Sequence, residues 1–359
     1  MEEERISGRQ FGILTFVMML APLIHAIPLR TAGAGRASWL ITFPVVIPLG
    51  VLFYFLFRCL ERMPEGSGMG DLYLLALGQR WGKLCCVLST FWIVTMLIED
   101  LRFYAERYVT AVYPETGLSL FYVALLLMML WISRGSLGAL ARTGKILFWV
   151  VMTTLAVVLV MAAPKMKLYN VWPVTDTDPR EVTMGTLRMI AVLAFAVPPT
   201  FLLGRVKWRS SKKGIVWWFV ILAVTMLLIA VEIFGVFGPE LTARLQVPFF
   251  TLAKEISFQR TVQGMEIIVA AMWVMSDTAL AGVKIFAAGE ALGRAFSIRR
   301  PEVVRAGLVC LTLPLCLLLP ESSFEMEGYY KKYGMPFNVA MGYFLPALAL
   351  TVGKLRHKW

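Results

Sequence analysis

Charge is scarce in this sequence. Only 16% of its 359 residues are Asp, Glu, Lys or Arg, against about 25% in soluble domains. That is too little to coat the two or three water-soluble domains its length would otherwise suggest. Cysteine is scarce too. Cys59, Cys85, Cys86, Cys310 and Cys316 lie in or beside apolar stretches, and an odd number without paired spacing excludes a disulfide framework. His25 and His357 are the two histidines, so there is no Cys/His zinc spacing and no metal site is expected. No phosphate loop or nucleophile elbow is found, so neither an enzyme nor a cofactor is expected. The opening Met1-Glu2-Glu3-Glu4-Arg5 lacks the basic stretch of a cleaved signal peptide. The first apolar segment is therefore expected to stay as a span.

What is abundant is apolar: 58% of residues, with a mean hydropathy of +0.72. A spanning helix needs about 20 mostly apolar residues. Apolar runs between charged or Gly/Pro-rich breaks predict about ten spans, at 9–29, 38–58, 83–112, 118–134, 143–163, 184–204, 214–236, 263–290, 303–320 and 335–353. The reading is an all-α integral membrane protein with one transmembrane domain over 1–359. Stretch 69–80 reads as an amphipathic helix on the inner interface. Stretch 238–260 is the longest outer loop.

An even number of spans puts both termini on one side. With the N-terminus inside, 21 of the 35 Lys and Arg fall in or beside inner loops. The positive-inside rule then places both termini in the cytoplasm. The cluster Arg205, Lys207, Arg209, Lys212 and Lys213 is the strongest anchor. Contact with anionic lipid explains it and the net charge of +12, so nucleic acid is not expected as a partner.

Two spans carry proline where a helix would otherwise run on. Span one holds Ala21, Pro22, His25 and Pro28, and span six holds Ala196, Pro198, Pro199 and Thr200. Proline removes a backbone donor and clashes with the preceding turn. Backbone left unpaired at membrane depth is tolerated only beside protein or a wet cavity. The two interruptions lie five spans apart. Five is odd, so a second five-span unit enters from the opposite side. This points to a LeuT-type 5+5 inverted repeat with broken helices one and six, repeat one about 9–163 and repeat two about 184–353. Ordinary proline kinks are the plainer reading, since Pro44, Pro48 and Pro314 also lie in spans.

Ionisable groups inside a membrane are functional hypotheses by default. Span eight carries Glu266, Asp277 and Lys284 near one face, with Trp273 beside them and Ser276 and Thr278 flanking Asp277. The functional reading is a cation or proton site at Asp277, reaching the span-one interruption. The structural reading is a hydrogen bond or salt bridge within the bundle. Span three ends in Glu99, Asp100, Arg102, Tyr104, Glu106 and Arg107. A vestibule for charged solutes and a wet helix end with local ion pairs both fit this spacing. His25 reads as a ligand contact or a capping residue, and Lys145 as a coupling lysine or a snorkelling anchor.

Several stretches resemble the spore germination permease family, the B subunits of nutrient-germinant receptors, within the amino acid–polyamine–organocation superfamily. They are Ile6-Ser7-Gly8-Arg9-Gln10 before span one, Gly35-Arg36-Ala37-Ser38-Trp39 with Ala37 in place of an acid, and Tyr113-Pro114-Glu115-Thr116. Val247-Pro248 through Lys254-Glu255-Ile256-Ser257, then Glu266 and Trp273, resemble the approach to span eight, with Gly264 in place of an Arg and Lys284 on a family lysine. The resemblance implies ten helices in the LeuT-type arrangement and sensing of a small germinant, often an amino acid, in the spore inner membrane. It also implies an A subunit and a C-subunit lipoprotein as partners. Ligand is then expected among Ala21, Pro22, His25, Tyr104, Ala196, Pro198, Thr200 and Trp273, with coupling through Asp277, Lys284, Ser276, Thr278 or Lys145 and gating through Glu99, Arg102 or Glu266. An H⁺- or Na⁺-coupled amino-acid permease is the alternative, and a scaffold or channel subunit a further one.

Overall fold

The computed structural model describes residues 5–111, 115–174, 177–208, 212–257, 264–298, 300–318 and 323–358. Residues 1–4, Tyr113 and Pro114, 209–211 of the basic cluster, 258–263 of the long loop and Arg299 lie outside them. The helices are α1 (Gly8–Thr31), α2 (Thr42–Leu60), α3 (Met69–Ala111), α4 (Leu118–Arg134), α5 (Leu137–Ala162), α6 (Pro179–Leu193) and α7 (Lys212–Thr242). They continue with α8 (Pro248–Ser257), α9 (Met265–Phe296), α10 (Pro301–Cys316), α11 (Ser323–Tyr329), α12 (Met335–Val339) and α13 (Leu345–Leu355). Two short strands, β1 (Ile6–Ser7) and β2 (Val206–Lys207), pair in parallel.

Seven helical runs are long and apolar enough to cross a membrane. The first, Gly8–Leu60, is 53 residues long and holds α1 and α2 on either side of a 3₁₀ segment in which Gly35 takes φ +57°. With the shorter helices α4 and α10, these make up the ten spans that the apolar runs anticipate. The last span is one run from α11 to α13, interrupted by π turns at Tyr330–Gly334 and Ala340–Phe344.

Local chemistry sets the ends and corners. Ser7 caps α1 by accepting from Gln10 N, while Gln10 Oε1 accepts from Ser7 N at 2.9 Å. This capping box satisfies two of the orphan amides. The amphipathic stretch and span three are joined at Gly78, which takes φ +83°, a conformation glycine reaches without steric cost. In span six, α6 stops at Leu193 and gives way to 3₁₀ turns at Ala194–Ala196 and Pro198–Arg205. Pro198 and Pro199 have no N–H to continue an α ladder, and Thr200 N bonds Val197 O at 2.9 Å instead.

The break expected at the prolines of span one is not seen: its α-helix runs through Pro22 and Pro28 to Thr31. A side chain of α9 reaches its backbone just before Pro22, at Val17 and Ala21, as described with the site below.

Helix α9 is the hub, packing against α1, α3, α4, α5, α8 and α10. Its buried face is rich in Ala and Gly, which lets neighbouring backbones come close without a large apolar driving force. At the end that carries both termini, β1 is tied to β2, joining the start of span one to the end of span six. Gly204 lies there against the backbone of Gly66, where an added Cβ would collide with the Gly66 carbonyl. Both partners are main chain, so neither can rotate away. Gly204→Ala is expected to cost about 1–3 kcal/mol by overpacking, read as a lower melting temperature of the detergent-solubilised protein. An unchanged melting temperature would contradict this packing.

Candidate functional site

Four buried charges join α3 to α9. Asp100 and Arg107 are seven residues apart on α3, as are Asp277 and Lys284 on α9. Seven residues make nearly two turns, about 10.5 Å, and return to almost the same face. The helices run antiparallel, so each acid meets a base. Lys284 Nζ pairs with Asp100 Oδ2. Arg107 Nη2 donates to Asp277 Oδ2 at 2.5 Å, and Tyr108 Oη donates to the same oxygen at 3.1 Å. Asp277 and Lys284 are wholly buried. The guanidinium of Arg107 lies 4.8 Å from the Trp273 ring centre and 5.1 Å from that of Tyr104. Lys284 Nζ sits 3.9 Å from the Phe195 ring centre. Aromatic faces take up part of the charge that the pairs leave.

The residue before Asp277 holds span one. Ser276 Oγ donates to Val17 O at 2.6 Å and accepts from Ala21 N at 2.9 Å. Val17 and Ala21 are the i, i+4 partners of a regular helix. A hydroxyl from α9 is hydrogen-bonded to both groups of that pair. The carbonyl of Met18 one residue on lacks its usual donor, because the residue four ahead is Pro22. Neighbouring residues of α9 thus hold α3 through Asp277 and α1 through Ser276.

Between these elements lies a cavity of about 60 Å³, room for roughly four to six waters. Pro22, His25, Asp100, Tyr104, Arg107 and Phe195 are among its lining residues. Five buried polar atoms in and around it have no hydrogen-bond partner among the described residues: His25 Nδ1, Tyr104 Oη, Arg107 Nε, Trp273 Nε1 and Asp277 Oδ1. Each such atom costs about 1–3 kcal/mol until it is satisfied. A polar occupant would satisfy them. Away from the termini, Arg30 lines the cavity, pairs with Glu327 and lies 4.9 Å from the Tyr330 ring centre. Nearer the termini, Arg294 bridges Asp71 at 3.2 Å and Glu290 at 3.3 Å, while Arg205 meets Glu290 at 2.9 Å.

The residues singled out from sequence are only partly brought together. Pro22, His25, Glu99 and Tyr104 line the cavity, and Trp273 stacks between Arg107 and Phe250. Ala21 is reached only through its amide. Ala196 and Thr200 line a separate, mainly apolar space near Trp208 and Trp218, and Pro198 is buried in the 3₁₀ turn. Thr278, expected beside Asp277, turns its hydroxyl to Val274 O at 2.6 Å and to Met128 Sδ at 3.2 Å. Lys145 is exposed on α5. Glu266 is half-buried in the first turn of α9, eleven and eighteen positions before Asp277 and Lys284. Arg102 pairs with Glu106 at 3.0 Å, a local i, i+4 pair. Asp100 and Arg107 do not pair locally but reach across to α9. Arg30, Glu327, Tyr330 and Phe195 went unremarked in the sequence. The matched seven-residue spacing of opposite charges on spans three and eight was the available signal for the cross-helix pairs.

The sequence model of a family described as "Spore germination protein" matches residues 5–325. The chain is similar to Spore germination protein KB of Bacillus subtilis (strain 168), at 18% identity over 368 residues, covering 100% of this chain and 98% of that protein. Its fold is similar to that of a Na⁺-coupled sialic acid symporter in a substrate-bound outward-open state, with a TM-score of 0.62 at 13% identity over 98% of this chain and 91% of the other. The symporter has the LeuT fold, and the two chains share that all-α architecture.

Two tests follow from the geometry. Asp277→Asn leaves Arg107 buried without its counter-charge and is expected to destabilise the protein by about 3–5 kcal/mol. Adding Arg107→Gln should recover part of that loss in a double-mutant cycle of melting temperatures. Strict additivity would mean that the two groups are not coupled. Ser276→Ala removes the hydroxyl that meets Ala21 N and Val17 O, and is expected to cost about 1–3 kcal/mol. Ser276→Thr keeps the hydroxyl and should stay near the parent. Equal losses for Ala and Thr would point to side-chain size and not to the hydroxyl.

Proposed function

Because the chain belongs to the spore germination protein family, we propose that it is the membrane-embedded subunit of a nutrient-germinant receptor, taking a small zwitterion such as an amino acid into the cavity between α1, α3 and α9. The observation that carries this reading is the set of unpartnered buried atoms around that cavity. They include both signs of hydrogen bonding. Arg107 Nε and Tyr104 Oη offer donors for a carboxylate. Asp277 Oδ1 and His25 Nδ1 offer acceptors for an ammonium group. The small volume restricts the closed form to a molecule of few heavy atoms.

The mechanism proposed is a two-state one. Ligand binds with the Arg30–Glu327 contact open. Its carboxylate and ammonium draw α1 toward α3 and α9, and the contact closes over it. A ligand can shift such an equilibrium only by its differential affinity for the two states. The unpartnered atoms supply that difference, because closure brings them all within reach of one molecule. In this reading both termini face the cytoplasm, the membrane is the spore inner membrane, and an A subunit and a C-subunit lipoprotein read the change.

A second reading is a permease coupled to H⁺ or Na⁺. It is favoured by the run of buried ionisable groups, Asp100, Lys284, Asp277 and Arg107, beside the cavity. Liposomes holding the purified chain separate the two. Accumulation of an amino acid under an imposed gradient supports the permease; saturable binding without flux supports the receptor. In a melting-temperature screen of amino acids, the ligand that stabilises the parent should need about 10–100 times more concentration in Arg107→Gln, the loss of one charge-assisted bond of roughly 1.5–3 kcal/mol. A screen with no stabilising small zwitterion would overturn the ligand assignment.

A further inference from the structure

The geometry points to a bound anionic phospholipid in a membrane-facing groove between α2 and α13, separate from the cavity above. The groove holds about 730 Å³, within the range of sites that bury a small ligand. Each wall advances eleven positions from its first lining residue to its first basic one: from Ile47 to Arg58 on α2, and from Tyr343, in the π turn before α13, to Lys354 on α13. Eleven residues of helix rise about 16 Å, close to one leaflet of a hydrocarbon core about 30 Å thick. That rise is the length of an acyl chain's half of the bilayer.

The chemistry along the groove changes at one end. Ile47, Val51 and Phe55 are each more than half exposed, an apolar wall suited to hydrocarbon. The end toward the termini carries Arg58, Arg62 and Lys354. Arg58 is held at the rim by donating to Tyr54 Oη at 3.0 Å. Lys354 lies in the last turn of the final helix. Among the described residues, no acidic side chain lines the groove. Three cations above an apolar channel of leaflet depth complement one phosphate above one acyl chain. Basic pockets between spans recognise anionic headgroups on this principle. A neighbouring protein helix would fill the apolar part equally well, but would need acids at the same depth. The lipid carries its charge there already.

The test uses the full chain in mild detergent, followed by native mass spectrometry with added phosphatidylglycerol or phosphatidylcholine of identical acyl chains. Phosphatidylglycerol should be retained at least tenfold better, since each cation near an anionic surface contributes roughly fivefold. Arg58→Gln, Arg62→Gln and Lys354→Gln together should erase the preference while leaving weak retention of both lipids. Val51→Trp, which fills the groove, should lower retention of both, and serves if the charge variants fail to fold. Free glycerol 3-phosphate should not compete. Equal retention of the two lipids by the parent overturns the proposal. So does a preference that survives the charge variants, competition by glycerol 3-phosphate as effective as by the lipid, or a Val51→Trp variant that loses a co-purifying protein while keeping its lipid.

Discussion

Pairing four charges inside a membrane leaves two helices only one way to meet. An unpaired Arg, Lys or Asp at the centre of a span costs roughly 2.5–3.5 kcal/mol on insertion scales. With Asp100 against Lys284 and Arg107 against Asp277, none is left alone. The pattern also rejects its neighbours. Slide α9 along α3 by seven residues one way and Asp100 faces Asp277; slide it the other way and Arg107 faces Lys284. Apolar stripes of alanine and glycine tolerate many registers, so α3 and α9 need such a discriminator. Buried polar groups are best attested in this role, as selectors of register.

Everything else around the cavity is hung on that register. Arg107 can stack on Trp273 and Tyr104 only while Asp277 holds its far side. Phe195 meets Lys284 because the proline pair ends the α-helical part of span six near this depth. The outlying pairs, Arg30 with Glu327 and Arg294 with Asp71, are less buried. The best-buried pairs therefore lie in the middle, and the pairs most exposed to water lie toward the ends. Local opening draws on the less buried contacts first.

Span number, the amphipathic stretch and the proline break in span six are legible in the sequence because each is a property of one segment. Apolar length marks a span, and Pro198-Pro199 marks a break, whatever lies nearby. The site is less legible because it is made of relations between segments. Asp277 and Lys284 stand out alone as charges within an apolar run. Their partners do not, since Asp100 and Arg107 read as the wet end of a helix until α3 is seen to carry them deep beside α9. Thr278 shows the converse. Adjacent to Asp277 in sequence, it lies about 100° away around the helix and faces α4. The contact made to span one at Ala21 could not be found by looking for proline, because its partner, Ser276, lies 255 residues away.

That distance bears on how the chain is made. When α1 enters the membrane, the segment bearing Ser276 does not yet exist. At about 5–20 residues per second, it follows only after roughly 13–50 s. Until then no hydroxyl from α9 reaches Val17 and Ala21. The native α1 thus takes two of its backbone contacts from a segment made much later. A chain stopped before α9 would carry every residue of span one and lack that contact.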